Sequence, residues 1–331
     1  LIRTPYLLFL GDAPDALAAK VAQGIKDWRP ELAVGQLRLP GCNADMGLED
    51  LGVIEAAARG AKTLVIGIAN RGGFIPDHWR AVLSEALAAG LDLASGLHTL
   101  LRDDPVLAAQ AQAHGRSLHD VRVPCETYPI ANGKKRAGKR CLLIGTDCSV
   151  GKMYTALCLE KEMRQRGMKA SFRATGQTGI MITGGGVPLD AVVADFMAGS
   201  IEHLTPENEA DHWDIIEGQG SIFHPSYSGV SMALIHGGQP DAMIICDEPN
   251  RPHMRGLPDY QAQSYESLRD TAMVLARVVN PACVVTGVAL NTSAMGEQEG
   301  LDTARQIEDR LGLPTVDPFR HGAVRLVDAL P

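Results

Sequence analysis

The sequence contains no C-x-x-C pair. Its seven cysteines, Cys42, Cys125, Cys141, Cys148, Cys158, Cys246 and Cys283, are scattered over 331 residues. An odd, dispersed set in a chain of this length argues against a disulfide framework and for a reducing compartment. Long apolar runs are also missing, which excludes a membrane-spanning helix on pattern alone. The opening YLLFL is too short for a signal-peptide core and reads as a first strand. A cytoplasmic protein is therefore expected. Positive charge is in deficit, with 31 Lys and Arg against 39 Asp and Glu and a net charge of -8. A general nucleic-acid surface needs the opposite balance, although a few local arginines suffice to hold a small acidic substrate. No internal repeat and no low-complexity tract is found.

What is present is enough apolar material, 45% of residues, for a large core in each of two ordinary domains. In the first half, strand patterns at Tyr6–Leu10, Leu32–Leu37, Lys62–Ile68, Leu91–Ala94 and Val121–Val123 alternate with helical patterns. Those fall at Pro14–Asp27, Leu48–Arg59, Asp77–Ala89 and Pro105–Ala113. Such alternation predicts βαβ units, a parallel sheet and a Rossmann-like layer over residues 1–128. The segment 129–140, PIANGKKRAGKR, breaks the rhythm. Its five Lys and Arg fit a solvated linker, or a basic rim beside the phosphate site that follows.

The second half, 141–331, is again α/β. Strands are expected at Cys141–Ile144, Lys169–Ala174, Trp213–Glu217, Ala242–Asp247, Ala282–Ala289 and Pro314–Asp317. Helices are expected from Lys152 to Arg166 and at Leu189–Met197, Ser228–His236, Ser264–Val279 and Gly300–Leu311.

The strand CLLI, the loop GTDCSVGK and the helical MYTALCLEKEMRQRG form the strand, glycine loop and helix of a phosphate-binding loop. Gly145 and Gly151 permit the backbone angles of an anion nest, and Lys152 adds a full charge beside a helix N-terminus. Thr146, Asp147, Cys148, Ser149 and Val150 complete the loop. Met153 stands where a hydroxyl would coordinate Mg²⁺, and a thioether is a poor ligand for a hard cation. Thr155 lies two residues further round the helix. A diphosphate that is held rather than cleaved fits such a loop, and coenzyme A carries one; no metal is expected.

Further candidates lie at strand ends. ATGQTGIMITGGG, 174–186, reads as a Gly/Thr loop at the ligand end of the sheet, or as a surface loop, with Gln177 a substrate contact. Glu217 leaves its strand into GQG, to face the ligand or to cap. His224 and Ser226 share the next loop, where a histidine is either structural or catalytic and Ser226 is a substrate contact. Asp247 ends the following strand. Arg251 and Arg173 suit two substrate carboxylates, and Arg71, in IANRGGF, is a third candidate from the first half. Asn291 reads an adenine edge or caps a helix. Cys148 sits where a helix N-terminus lowers a thiol pKa, as an acyl carrier, or contributes only backbone.

Taken together, GTDCSVGKM, ATGQTGIM and EGQGSIFHPSYSG resemble the D-glutamate N-acetyltransferase family over nearly the whole chain. The resemblance implies a Rossmann-like N-terminal domain and a P-loop NTPase-like C-terminal α/β domain. It further implies acetyl transfer from acetyl-CoA to the amino group of D-glutamate, giving N-acetyl-D-glutamate and CoA. The C-terminal half is also similar to dethiobiotin synthetase, from which it departs at Met153. On the acetyltransferase reading, His224, or Glu217 if burial raises its pKa, takes the ammonium proton, with Asp247 next in line. Backbone N–H groups then stabilise the oxyanion by about 3 kcal/mol per donor. An ATP- and Mg²⁺-dependent ligase or kinase, and a nucleotide sensor without turnover, are the alternatives. A symmetric homo-oligomer is expected from the size class, with small molecules rather than nucleic acid or membrane as partners.

Overall fold

The run YLLFLG, Tyr6–Gly11, is buried along its whole length as strand β1. An uninterrupted apolar run is what a strand covered on both faces of a parallel sheet requires. A computed structural model of the chain describes every residue except Leu1, Leu17, Arg71, Cys125 and Glu126. It divides into two units, Leu1–Cys125 with Gly176–Ala191, and Glu126–Thr175 with Val192–Pro331.

The first unit is built on β1, β2 (Ala33–Arg38), β3 (Thr63–Ile66), β4 (Asp92–Ser95) and β5 (Leu118–Asp120). They form a parallel sheet in the order β2-β1-β3-β4-β5. Helices α1 (Lys20–Trp28), α2 (Val53–Ala58), α3 (Arg80–Ala88) and α4 (Pro105–His114) fall between the strands in sequence. The α4 boundaries follow local chemistry: Asp104 accepts from the Val106 and Leu107 N–H groups, Pro105 opens the helix, and left-handed Gly115 ends it. Two helices are shorter than the periodicity predicts. Asp15 accepts from the Ala18 N–H at 2.8 Å, closing a turn ahead of α1. Gln36 pairs through its backbone with Glu49 and Leu51, which draws residues 49–51 alongside β2 and out of α2. The fifth strand lies at Leu118–Asp120 rather than Val121–Val123, because the β4 register pairs Leu93 with Leu118 and Ser95 with Asp120.

The second unit holds β6 (Lys139–Gly145), α5 (Lys152–Gln165) and β7 (Ala170–Arg173). The chain then contributes α6 (Gln177–Thr183) to the first unit. It returns with α7 (Met197–Leu204), β8 (Trp213–Ile216), α8 (Ser228–Gly238), β9 (Ala242–Asp247) and α9 (Tyr265–Ala276). It ends with β10 (Val284–Leu290), α10 (Glu297–Leu311), β11 (Thr315–Val316), α11 (Pro318–His321) and α12 (Val324–Asp328). The sheet is parallel, in the order β11-β10-β9-β6-β8-β7. From central β6 the chain crosses to β7 at the edge and returns to β8 beside β6. The strand order therefore reverses around β6, the place where an open α/β sheet forms a crevice at its carboxyl end.

Two expectations here are corrected. Residues 177–183 are a helix, not a Gly/Thr loop; Ile180, Met181 and Ile182 are buried within the first unit, and that burial outweighs the poor helix propensity of Thr and Gly. Residues 189–197 form two short 3-10 turns, and the helix begins only at Met197.

The basic segment is largely exposed, Lys134 and Lys135 included, but two of its arginines are not solvated. Arg136 and Arg140 are tucked into the amino end of the second sheet. Arg136 donates to the Thr205 and Gly237 carbonyls (2.8 Å each), and Arg140, fully buried, donates to the carbonyls of Arg136 and Ala137 (3.1 and 2.9 Å). Glu202 meanwhile accepts from the Asn132 and Gly133 N–H groups, at 3.0 Å each. No described helix is long and apolar enough to cross a membrane.

Candidate active site

The loop at the carboxyl end of β6 reverses twice. Ser149 (φ 55°) and Gly151 (φ 93°) are left-handed and bracket buried Val150. Such turns aim successive N–H groups into one concavity. Helix α5 starts at Lys152 with no side chain capping its N-terminus, so its first N–H groups are left to a ligand or to water.

Lys152 is 6% exposed. Its stem runs between two glycines. A Cβ at Gly145 would lie 2.7 Å from Nζ, and one at Gly218 would lie 2.9 Å from the lysine Cδ and 1.6 Å from the Leu143 carbonyl oxygen. Nζ donates to the Asp147 carbonyl at 2.7 Å and the Gly220 carbonyl at 2.9 Å. Its burial depresses its pKa. A desolvated cation beside the positive end of a helix is short of an anion, and a diphosphate supplies one.

Asp147 turns the other way. Its buried carboxylate accepts from the Cys148 N–H (2.6 Å), the Arg255 N–H (2.7 Å) and the Arg251 guanidinium (2.6 Å). Burial alone would raise its pKa, but these donors hold it below the ordinary carboxylate value. Arg251 also donates to the Cys148 and Ser149 carbonyls, at 2.6 and 3.0 Å, and pairs with Glu248. It grips the loop's own backbone, which corrects its assignment to a substrate carboxylate. Cys148 is not an activated thiol: burial raises its pKa, against the pull of Lys152.

His224 is 1% exposed and both ring nitrogens are engaged. The Ser226 N–H donates to Nδ1 (3.2 Å), which leaves the proton on Nε2, and Nε2 donates to the Arg255 carbonyl (3.2 Å). The ring lies over Tyr227, centroids 4.6 Å apart. In this arrangement it has no lone pair for a substrate proton, so the base role expected of it is not supported. Ser226 itself is exposed and serves through its backbone. Asp147, Cys148 and His224 do place ligand atoms within 4.8 Å of one another. The proton on Nε2, the neutral thiol and Arg251 on the same carboxylate all oppose a cation there.

Glu217 is also buried. It accepts from the Thr175 N–H at 2.9 Å, Thr175 Oγ1 donates to the Glu217 carbonyl, and Gln219 donates to Thr175 Oγ1. Glu217 thus ties the ends of β7 and β8 together. Arg173, expected to hold substrate, is paired with buried Asp214 at 2.7 Å. Gln177 lies in the first unit, where its amide bridges the Gly96 carbonyl and the Arg122 guanidinium. Arg71 falls outside the described residues. Asn291 accepts from the Ser293 N–H at 3.2 Å and donates its own N–H to the Asp247 carbonyl. It shapes a turn and caps no helix.

Asp247, at the end of β9, remains half-buried. One carboxylate oxygen accepts from the Thr146 hydroxyl, the other from the Tyr265 hydroxyl. No cation among the described residues is within ion-pair distance of it. Met153 leaves the usual hydroxyl position empty of oxygen, and Thr146 meets the strand-end carboxylate from the other end of the loop. Tyr265 and Arg255 are site residues that the sequence reading missed. Each stands on the long β9–α9 connection or just past it, and the expected helix Ser264–Val279 gave Tyr265 no role beyond its place in the first turn.

Comparison with known proteins places this geometry. Residues 129–327 match the family described as "Domain of unknown function (DUF1611_C) P-loop domain", and residues 37–124 the one described as "Domain of unknown function (DUF1611_N) Rossmann-like domain". A D-glutamate N-acetyltransferase of Tritonibacter scottomollicae is 67% identical over 330 residues, spanning 100% of this chain and 99% of the relative. One from a Pseudoalteromonas species is 46% identical over 326 residues, 98% of each. The crystal structure of a DUF1611 family protein from Anabaena variabilis superposes with a TM-score of 0.87 at 31% identity, over 99% of both chains. The chain belongs to the DUF1611 family, with its Rossmann-like N-terminal and P-loop C-terminal domains.

Proposed function

We propose that this chain is an acyltransferase that moves the acetyl group of acetyl-CoA to the amino group of D-glutamate. The observation that carries this reading is full-length kinship, at 67% and 46% identity, with two D-glutamate N-acetyltransferases. The loop Gly145–Lys152 suits the diphosphate of coenzyme A: a left-handed turn, an uncapped helix N-terminus and a buried ammonium, with Met153 in the metal-binding position. Bound there, the thioester supplies the activated acetyl carbon.

The chain's own residues then have to seat the amine and remove its proton. Asp247 fits this task better than His224 or Glu217, because it is only half-buried and no cation among the described residues is within ion-pair distance of it. The D-glutamate ammonium is such a cation, and transfer of its proton to Asp247 leaves the free amine as nucleophile. Arg251 acts at one remove, by fixing the loop.

Incubation with acetyl-CoA and D-glutamate, without ATP or added metal, is expected to release free CoA thiol and N-acetylated D-glutamate, with L-glutamate a poor substitute. Thiol release that requires ATP and Mg²⁺, or ADP as a product, overturns the reading in favour of a ligase or kinase. Tight cofactor binding with no product points to a sensor.

A further inference from the structure

We propose that Tyr265 is a positioning residue for this reaction: with Thr146 it fixes the Asp247 carboxylate in the orientation that receives the substrate ammonium. The inference rests on the role given above to Asp247. Its basis is a continuous chain of contacts through four elements. Thr146 in the phosphate loop and Tyr265 at the start of α9 donate to opposite oxygens of Asp247 on β9. The Tyr265 ring lies under the Arg310 guanidinium of α10, 5.4 Å from its centroid, and Arg310 pairs with Glu266 at 3.0 Å. Ser264 caps α9 by accepting from the Ser267 N–H, which sets where Tyr265 enters the helix.

Two hydroxyl donors fill one lone pair on each carboxylate oxygen and leave the others for the ammonium. The phenol stays protonated, because burial and then the neighbouring Asp247 charge push its pKa up. The other charged or titratable groups that act on this pair are Cys246 on β9, Glu266 on α9 and Arg310 on α10, while Glu248 beyond β9 is paired with Arg251. Thr146 belongs to the cofactor loop as well, so one carboxylate links the cradle to the amine site. Tyr265 supplies the half of its support that lies outside the cradle.

The test is the pH dependence of kcat/KM for the full-length protein, wild type and Tyr265→Phe, with coenzyme A affinity measured alongside. Tyr265→Phe removes one of the two donors that hold the carboxylate, so the acid limb of the profile is expected to move to higher pH. A loss of about tenfold in kcat/KM at neutral pH is expected with it, at nearly unchanged coenzyme A affinity. If Tyr265→Phe fails to fold, 3,5-difluorotyrosine at position 265 serves instead; as a stronger donor it is expected to move the limb to lower pH. An acid limb that does not move, or a loss confined to cofactor affinity, overturns the inference. Asp247→Asn separates the two claims. Near wild-type turnover in Asp247→Asn sinks the base assignment, and an inactive Asp247→Asn beside an unmoved limb in Tyr265→Phe sinks only the role of Tyr265. Infrared difference spectra of the carboxyl stretch against pH, wild type minus Asp247→Asn and without substrates, read the same shift independently of turnover.

Discussion

Two cationic clusters lie at opposite ends of β6, and they teach different lessons. At the amino end, Arg136 reaches the Thr205 and Gly237 carbonyls, which close the C-termini of α7 and α8. At the carboxyl end, Lys152 and Arg251 also donate to backbone carbonyls, but those belong to the phosphate loop and to Gly220. A cation at a helix C-terminus meets the negative end of the macrodipole and completes a structure. A cation at the uncapped N-terminus of α5 meets the positive end. The first cluster spends its hydrogen bonds on carbonyls of the fold, while Lys152 of the second has no carboxylate among the described residues within ion-pair distance and stands where an anion would sit.

The largest effect expected from this contrast is on stability at the amino end. Arg136→Met strands two helix-terminal carbonyls in a buried setting and is expected to cost about 3 kcal/mol. Urea unfolding measures it. Burial lowers the Arg136 pKa only to about 10, so the cation is present at neutral pH. Coenzyme A affinity per folded molecule is expected to stay as in wild type. A variant that keeps its stability but loses cofactor would reverse the roles assigned to the two ends.

Lys152→Met is the mirror experiment. Loss of a charge-assisted contact to phosphate is expected to weaken coenzyme A binding roughly 10- to 100-fold, read by calorimetry. The stability of the free protein is expected to hold or rise, since a desolvated cation beside a helix N-terminus is removed. A large drop in free-protein stability would make Lys152 a structural residue like Arg136.

Sequence pattern reveals the carboxyl end far better than the amino end, for a physical reason. The phosphate loop is local: one strand, one turn and one helix N-terminus within 145–152 carry the anion chemistry, and β9 is predicted to the residue at Ala242–Asp247. What pattern does not carry is the choice of partner. Arg173 and Arg251 look alike as arginines at strand ends, yet one pairs with Asp214 and the other with Asp147, more than 40 residues away in each case. His224 looks catalytic from its loop, but the backbone of Arg255 and Ser226 consumes both its nitrogens. The helix Gln177–Thr183 is invisible because tertiary burial, not propensity, forms it. Tyr265 is separated from Asp247 by the long β9–α9 connection, and no local rule spans that distance.

The smallest effect is the most discriminating, because two observables should move in opposite directions. The folded-state pKa of Lys152 lies below its unfolded value of 10.5. Between those two values the unfolded chain binds the extra proton, so the stability of the free protein rises with pH across that window, by at most about 1.4 kcal/mol per pH unit. Over the same window Lys152 loses the charge that grips phosphate, so coenzyme A affinity falls. Melting temperature and dissociation constant measured against pH, each as the difference between wild type and Lys152→Met, isolate this one group from the thiols and amines that titrate nearby. At the amino end no such opposition is expected, because the partners of Arg136, the Thr205 and Gly237 carbonyls, the Thr205 hydroxyl and the Glu202 carboxylate, all belong to the fold and none to the phosphate loop. If the stability and affinity differences instead move together, Lys152 is held by the fold as tightly as Arg136, and the distinction between a helix end that is closed and one that waits for an anion fails.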